Sequence, residues 1–179
     1  LPHSEFIPDL KALLELSYQP GVSPVDAFAK MMARLFEQTE LTFVNPLDEG
    51  LRSIAQPVIE TAIARNAEMR SALMERNTAL SAAGYHAQVK VDQSFTGLFA
   101  YHGRARQALR PGDLQSGVSW SPNVLLRPLM QDTVLPTATY IGGPAEVAYF
   151  AQAAAVYEAL GKPMPPIFPR ISATVVEPR

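Results

Sequence analysis

Apolar residues recur every three or four positions along much of the first half of the chain, which is the spacing of amphipathic helices. Asp9 to Tyr18 predict a short helix, and Ser23 is a good N-cap for a second helix from Val25 to Gln38. Asp48 to Ala83 predict a long helix, which Pro57 splits or kinks because proline lacks an amide hydrogen. The second helix should bury one apolar stripe, made of Phe28, Met31, Met32, Leu35 and Phe36.

Short segments rich in β-branched and aromatic residues predict strands. Leu41 to Asn45 is one such segment, and Ile171 to Val176 is another near the end of the chain. His86 to Val91 and Leu98 to Tyr101 alternate between apolar and polar residues, and a turn-like segment separates them. These two segments therefore predict an antiparallel hairpin.

The most informative local pattern is a strand, a Gly-Gly turn and a helix in immediate succession. Thr137 to Ile141 predict the strand, Gly142 and Gly143 the turn, and Ala145 to Leu160 the helix, with Pro144 in its first position. Ligands of open α/β sheets bind at such corners, beyond the carboxyl ends of the strands. The pattern predicts an α/β fold with a mainly parallel sheet and an inserted β-hairpin.

Two interpretations of this corner are open. The amide groups at the start of a helix can bind an anion, and two glycines let a ligand approach the backbone. Glu146 lies in the first helical turn, where the helix dipole favours a carboxylate and where it can cap its own helix. Self-capping would compete with anion binding and leave Gly142 and Gly143 as a tight turn. Tyr149, one turn beyond Glu146, can reach the same pocket or pack as an ordinary apolar ring.

Other polar residues near the corner also have two interpretations. Arg127, Gln131 and Asp132 lie at i, i+4 and i+5, so Arg127 can hold a substrate carboxylate or form an ion pair with Asp132. Arg170 follows a proline-rich loop, where an arginine more often pins the loop than binds a substrate. No Gly-x-Gly-x-x-Gly or Gly-Lys-Ser/Thr phosphate-binding motif occurs in the chain.

Composition narrows the class of protein. The 179 residues suit one domain, and 47% of them are hydrophobic, enough to build a core. A net charge of −2 without a run of basic residues argues against binding nucleic acid, and no apolar run reaches the ~20 residues of a membrane helix. The chain has no cysteine, and His3, His86 and His102 lack metal-ligand spacing, so a zinc site is not expected. A cytoplasmic location fits the missing cysteines and the lack of a secretory signal pattern.

Four short motifs in the last third of the chain resemble the BshC family of bacillithiol biosynthesis: LLRPLMQD, LPT, YIGGPAEVAYFAQ and MPPIFPR. The upstream order of LTFVNPLD, GYHAQV and GLFAYHGRARQAL is similar to that family too. The resemblance spans most of the chain but only the middle of the longer family sequence. Both ends of the chain look cut, and the chain is therefore interpreted as an internal fragment.

The resemblance implies a Rossmann-like core that carries connecting insertions and is followed by a coiled-coil arm. Residues 1–118 would be the helical and β-hairpin connecting region, and residues 119–179 the second part of the core. The first part of the core and the coiled coil would be missing. The full-length parent would form a homodimer through that coiled coil, so this contact would be missing too. Autonomous activity of this chain is therefore not expected.

The resemblance also implies a function. The full enzyme would join cysteine to glucosaminyl-malate by forming an amide, with Arg127 and Gln131 positioning the substrate. Gly142, Gly143 and Glu146 would surround the ligand, together with Asp132, Tyr149 and Arg170. The sequence identifies no catalytic base and no cofactor, although ATP or another nucleotide would activate the acid. Two other functions stay open: a non-catalytic nucleotide- or metabolite-binding module, and a structural domain that docks through the helix kinked at Pro57.

Overall fold

The computed structural model describes residues 4–46, 48–102, 105–114 and 120–176. The chain divides into two compact units, Leu1–Asp48 and Glu49–Arg179. The boundary predicted between residues 118 and 119 lies outside the described residues, so that division stays a prediction. The candidate site lies entirely in the second unit.

The first unit contains two helices, α1 (Ile7–Ser17) and α2 (Pro24–Leu35). The predicted N-cap is confirmed, because the Ser23 hydroxyl oxygen accepts the N–H of Asp26 at 3.1 Å. The predicted buried stripe is wrong: Phe28 and Leu35 are 51% and 52% exposed, and Met31 and Met32 are only half-buried. Among the described residues of this unit, α2 packs against α1, and one helix cannot cover the whole apolar face of another. Residues 41–45 form no strand either.

The second unit begins with the helices α3 (Glu49–Ala64) and α4 (Asn66–Ala82). The predicted split at Pro57 is wrong, because Pro57 lies inside α3 and the two helices are separated at Arg65 instead, where φ is −102° and ψ is 21°. A kink at Pro57, the other form of the prediction, stays a prediction. The predicted end of the long helix at Ala83 is confirmed to within one residue, since α4 ends at Ala82. Gly84 has a φ of 83°, a left-handed conformation that glycine adopts without a steric penalty.

A three-stranded antiparallel sheet follows, with β1 (Leu98–His102) between β2 (Ala105–Ala108) and β3 (Trp120–Pro122). The predicted partner of β1 is wrong, since residues 86–91 form no strand. The side chain of Gln152 forms hydrogen bonds with the backbone of that segment. It accepts the N–H of Val89 at 2.8 Å and donates to the Val89 carbonyl at 2.9 Å. A short 3-10 helix, Pro111–Asp113, comes after β2.

The last part of the chain forms a parallel strand–helix–strand unit. Helix α5 (Arg127–Val134) precedes β4 (Tyr140–Gly142), α6 (Pro144–Ala159) and β5 (Ile167–Pro169), and β4 pairs with β5 in parallel. The predicted strand at Thr137 to Ile141 is shorter and later than expected, and residues 171–176 form no strand. The α/β class is confirmed, although the parallel sheet among the described residues consists of this one pair.

The hydrophobic core of the second unit lies among α4, α6, α5 and the strands. Helix α6 packs mainly against α4, and β4 and β5 rest on α6. Since several of its side chains are almost completely shielded from solvent, this core fixes the start of α6 and therefore the corner. Its large buried side chains include Met69, Leu73, Leu98, Leu129, Phe150 and Val156. None of the described helices is long and apolar enough to cross a membrane.

Candidate functional site

The predicted Gly-Gly corner joins the carboxyl end of β4 to the first turn of α6. The backbone N–H of Arg170 donates to the carbonyl of Gly142 at 2.8 Å, so β5 and its following residue hold the corner from the side. Gly143 has a φ of −69° and a ψ of 171°, an extended conformation open to any residue. Its smallness matters for another reason: a Cβ there would lie 3.0 Å from Nη2 of Arg170.

Glu146 caps its own helix, which confirms the self-capping interpretation. Its Oε2 accepts the N–H of Gly143 at 2.7 Å, and its Oε1 accepts the hydroxyl of Tyr140 at 2.7 Å. These two donors, above all the Gly143 amide, lower the pKa of Glu146, and the nearby Arg170 guanidinium adds to the effect. Because Pro144 has no N–H and the amide of Gly143 is occupied, the corner is less suited to an anion than the sequence suggested.

Tyrosine hydroxyl groups extend this polar cluster. The hydroxyl oxygens of Tyr140 and Tyr149 lie 3.5 Å apart, and both rings contact Phe150, with centroid distances of 4.5 and 5.2 Å. Burial, followed by the bonds to Tyr149 and Glu146, raises the pKa of Tyr140. The phenol therefore stays protonated and remains a donor to Glu146. The corner thus presents a carboxylate held by two donors, with phenolic rings beside it.

A second carboxylate–phenol pair joins α5 to α6. The buried hydroxyl of Tyr157 donates to Oδ2 of Asp132, and burial together with this bond raises the pKa of Tyr157. Oδ1 of Asp132 is also buried and has no hydrogen-bond partner among the described residues. Within the described residues, Arg127 and Asp132 do not form the ion pair that was the alternative interpretation.

The eight predicted site residues fall into three groups. Gly142, Gly143, Glu146, Tyr149 and Arg170 come together at the corner. Asp132 lies on α5 and is bonded to Tyr157 of α6. Arg127 and Gln131 are exposed on α5, and their side chains make no hydrogen bond within the described part of the chain.

Sequence reasoning missed two residues of the cluster, Tyr140 and Tyr157. Tyr157 stands eight positions after Tyr149 and eleven after Glu146, which places all three on one face of α6. That spacing was a usable signal. The partner of Tyr157 on α5 had no comparable signal, because the contact depends on how the two helices pack. Within the described residues, no group of three or more metal-ligating side chains lies together.

Comparison with known proteins identifies the family of the chain. The family model described as "Bacillithiol biosynthesis BshC, N-terminal Rossmann-like domain" matches residues 1–119 and 114–171. The chain belongs to the BshC family. The family resemblance and the Rossmann-like assignment are thereby confirmed. The family model describes the matched region as N-terminal in BshC proteins, and the interpretation of the chain as a segment from the middle of the longer sequence stays a prediction.

Individual BshC relatives match nearly the whole length of the chain. Proteins named "Putative cysteine ligase BshC" are 44% identical in Koribacter versatilis, 35% in Solibacter usitatus and 38% in Salinibacter ruber. The matches cover 98%, 100% and 99% of this chain but only 37%, 36% and 36% of the relatives. The chain therefore spans little more than a third of the length of these relatives.

Proposed function

We propose that the chain is part of an enzyme that joins cysteine to glucosaminyl-malate by forming an amide. The observation that carries this proposal is the BshC family match over residues 1–119 and 114–171, together with relatives named as cysteine ligases. The family supports a role in bacillithiol biosynthesis, and amide formation is our more specific assignment. Homodimerisation through a coiled coil and a cytoplasmic location stay predictions.

The geometry supports different roles for the candidate residues. Arg127 and Gln131 have exposed side chains without partners among the described residues, so both are available to orient a substrate, Arg127 through a carboxylate. At the corner, Glu146 can accept a hydrogen bond from an amine or hydroxyl of a ligand, and the phenols can accept or donate one. Activation of the acid would come from ATP or another nucleotide.

A non-catalytic nucleotide- or metabolite-binding module is the second candidate. The observation that favours it is that both carboxylates of the site are engaged: Glu146 caps α6, and Asp132 accepts the hydroxyl of Tyr157. Neither is a free general base. This candidate predicts ligand binding without a new covalent product.

Product formation by a longer protein tests the proposal. Residues 1–179 would replace the matched segment of the Koribacter versatilis relative, and the chimera would be incubated with cysteine, glucosaminyl-malate and ATP. We expect mass spectrometry to detect the amide product, with a lower yield when ATP is omitted. Binding of the substrates without any product would support the module instead.

The variant Arg127→Ala tests the site assignment within the same chimera. Since this side chain is exposed, we expect the melting temperature to stay within a few degrees and product formation to fall at least tenfold at low substrate concentration. The matched control is Arg65→Ala, because Arg65 pairs with Glu68 on the surface and has no part in the proposed site. Unchanged product formation by Arg127→Ala would remove Arg127 from the site.

A further inference from the structure

A chain of polar contacts runs from the corner to Tyr149. The N–H of Gly143 donates to Oε2 of Glu146 at 2.7 Å, and the hydroxyl of Tyr140 donates to Oε1 at 2.7 Å. The hydroxyl oxygen of Tyr149 comes next, 3.5 Å from that of Tyr140. Each phenol carries one hydrogen, whereas an ionised carboxylate can only accept hydrogen bonds. The carboxylate of Glu146 therefore fixes the direction of the chain.

Tyr140 uses its only hydroxyl hydrogen for the bond to Glu146. That bond is much shorter than the contact with Tyr149, and hydrogen bonds to charged groups are the stronger ones. Burial, followed by the bonds to its neighbours, raises the pKa of Tyr140, so the hydrogen stays on the phenol. Tyr140 consequently turns its oxygen lone pairs toward Tyr149, and the hydrogen of Tyr149 points toward Tyr140. The oxygen of Tyr149 accepts no hydrogen bond from the residues that the structure describes.

Apolar contacts hold the ring of Tyr149 in place. The ring stacks on Phe150 with a centroid distance of 5.2 Å and an interplanar angle of 23°, and Phe150 is only 2% exposed. Tyr149 itself is half-buried. The position of its hydroxyl therefore does not depend on the long contact with Tyr140, and an oxygen held in this way can orient a ligand.

A ligand next to Tyr149 meets an acceptor, and this selects its chemistry. An amine that attacks an acyl group needs a free nitrogen lone pair, which a hydrogen-bond donor would occupy. An acceptor binds the N–H instead and leaves the lone pair free. The negative charge of Glu146 disfavours a carboxylate at this end of the cluster, and the guanidinium of Arg170 lies on the other side, next to Gly143. The Tyr149 end is thus suited to an amine.

We propose that Tyr149 orients the nucleophilic amine of the substrate by accepting one of its N–H groups. In the proposed reaction this amine is the amino group of glucosaminyl-malate. The oxygen of Tyr149 holds the nitrogen, and the lone pair stays free for the carboxyl carbon of cysteine. This inference rests on the proposed function and assigns an orienting residue to it.

Removal of the hydroxyl from the protein and of the amino group from the ligand tests this contact. Tyr149→Phe keeps the ring on Phe150, and an analogue of glucosaminyl-malate with hydrogen in place of the amino group keeps the rest of the ligand. Tyr85→Phe is the matched control, because Tyr85 is 67% exposed in the segment after α4. NMR titration of the 179-residue chain measures the dissociation constants of both ligands for the wild type and the two variants.

We expect the wild type and Tyr85→Phe to bind glucosaminyl-malate more tightly than the analogue. Tyr149→Phe should lower this preference about fivefold, the usual effect of one hydrogen bond, by weakening the binding of glucosaminyl-malate alone. An undiminished preference in Tyr149→Phe would overturn the proposal. Equal weakening of both ligands would also overturn it, since the role of the hydroxyl would then be structural. Failure of the wild type to bind glucosaminyl-malate would overturn it as well.

A second measurement does not depend on the folding of a variant. With carbon-13 at Cζ of the tyrosines, we expect glucosaminyl-malate to shift the Tyr149 signal of the wild-type chain and the analogue to shift it clearly less. Equal shifts, or no shift, would overturn the proposal.

Binding needs no turnover, so this outcome is separable from that of the proposed function. Amine-dependent binding at Tyr149 without any product from the chimera would contradict the reaction and retain the contact. Product formation by the chimera without an effect of the amino group at Tyr149 would overturn this inference alone.

Discussion

Glu146 links the backbone of the corner to the aromatic side chains around it. One carboxylate oxygen accepts the amide of Gly143, and the other accepts the hydroxyl of Tyr140. A single side chain thus caps α6 and orients the ring at the end of β4. Because both bonds favour the ionised carboxylate, the charge of Glu146 is part of the local structure.

The pH dependence of stability should reveal this charge. Glu146→Gln keeps the shape of the side chain but removes its charge and one acceptor, so we expect a loss of about 1 kcal/mol in the free energy of unfolding at neutral pH. The folded-state pKa of Glu146 lies below its ordinary value of 4.5. Its contribution is therefore present above pH 4.5 and is lost as the pH falls through the folded-state pKa.

Urea unfolding of both proteins at a series of pH values measures this contribution. We expect the difference between wild type and Glu146→Gln to shrink toward zero as the solution is acidified below pH 4.5. Other carboxylates titrate in the same range, but they are common to both proteins and cancel in the difference. A difference that stays constant down to strong acid would show that the charge of Glu146 is unimportant.

The two glycines of the corner should differ in their tolerance of alanine. A Cβ at Gly143 meets the end of the flexible Arg170 side chain, which can move away. A Cβ at Gly142 would lie 3.2 Å from Cβ of Glu146 and 3.3 Å from the ring of Tyr140, and neither can move without disturbing the cap. We expect Gly142→Ala to cost about 1–3 kcal/mol in urea unfolding and Gly143→Ala clearly less. Equal losses would contradict this.

At the scale of elements, helices were easier to predict than strands. The start of α2 depends on Ser23, and the start of α6 on Pro144 and Glu146, so the signals lie within a few residues. The segment 86–91 has the alternation of a strand, but the side chain of Gln152, far away in sequence, forms hydrogen bonds with the backbone of Val89. The sequence of the segment itself gives no signal of these bonds. In contrast, the polar β2 forms because β1 offers it a neighbouring edge.

Gln152 should be a large contributor to stability. It is fully buried, and its side chain bonds both backbone groups of Val89 and donates to Oδ1 of Asn77 at 2.7 Å. Gln152→Leu would leave the Val89 N–H and Oδ1 of Asn77 unpaired and the Val89 carbonyl with only the long bond from Nδ2 of Asn77 at 3.5 Å, so we expect a loss of about 2–4 kcal/mol. Urea unfolding measures the loss, and hydrogen exchange at the amide of Val89 locates it.

The matched control is Gln56→Leu. Gln56 lies on α3, and the bond that its side chain forms within the described residues is to Glu60, one turn away on the surface. We expect that substitution to change stability by less than about 0.5 kcal/mol. If Gln152→Leu costs no more than this control, or if the Val89 amide keeps its protection, the bonds to Gln152 do not hold the segment in place.

At the scale of the whole molecule, the sequence predicted the strand–turn–helix corner better than it predicted the contacts made there. The corner was predictable because strand, glycines and helix follow one another along the chain. The bond between Tyr157 and Asp132 was not, since it depends on how α6 packs against α5. The roles of Arg127 and Gln131 depend on residues that would face their exposed side chains.

The last prediction is that the 179-residue chain alone forms no amide product. A corner of a parallel sheet provides one side of a pocket, and the facing side comes from other strands across the sheet. Without it, bound substrates are not aligned, and alignment can contribute about 7–11 kcal/mol to a reaction between two molecules. We expect no product above background when the purified chain is incubated with cysteine, glucosaminyl-malate and ATP.

The Koribacter versatilis chimera serves as the positive control, and mass spectrometry of both reactions gives the comparison. Circular dichroism of the 179-residue chain establishes that a missing product does not result from unfolding. Calorimetric titration then asks whether the folded chain still binds a substrate weakly through Arg127, Gln131 and the corner. Turnover by the isolated chain at a rate near that of the chimera would contradict the prediction. The catalytic groups would then lie among the residues of this chain, and the two engaged carboxylates, Glu146 and Asp132, would be the first to substitute.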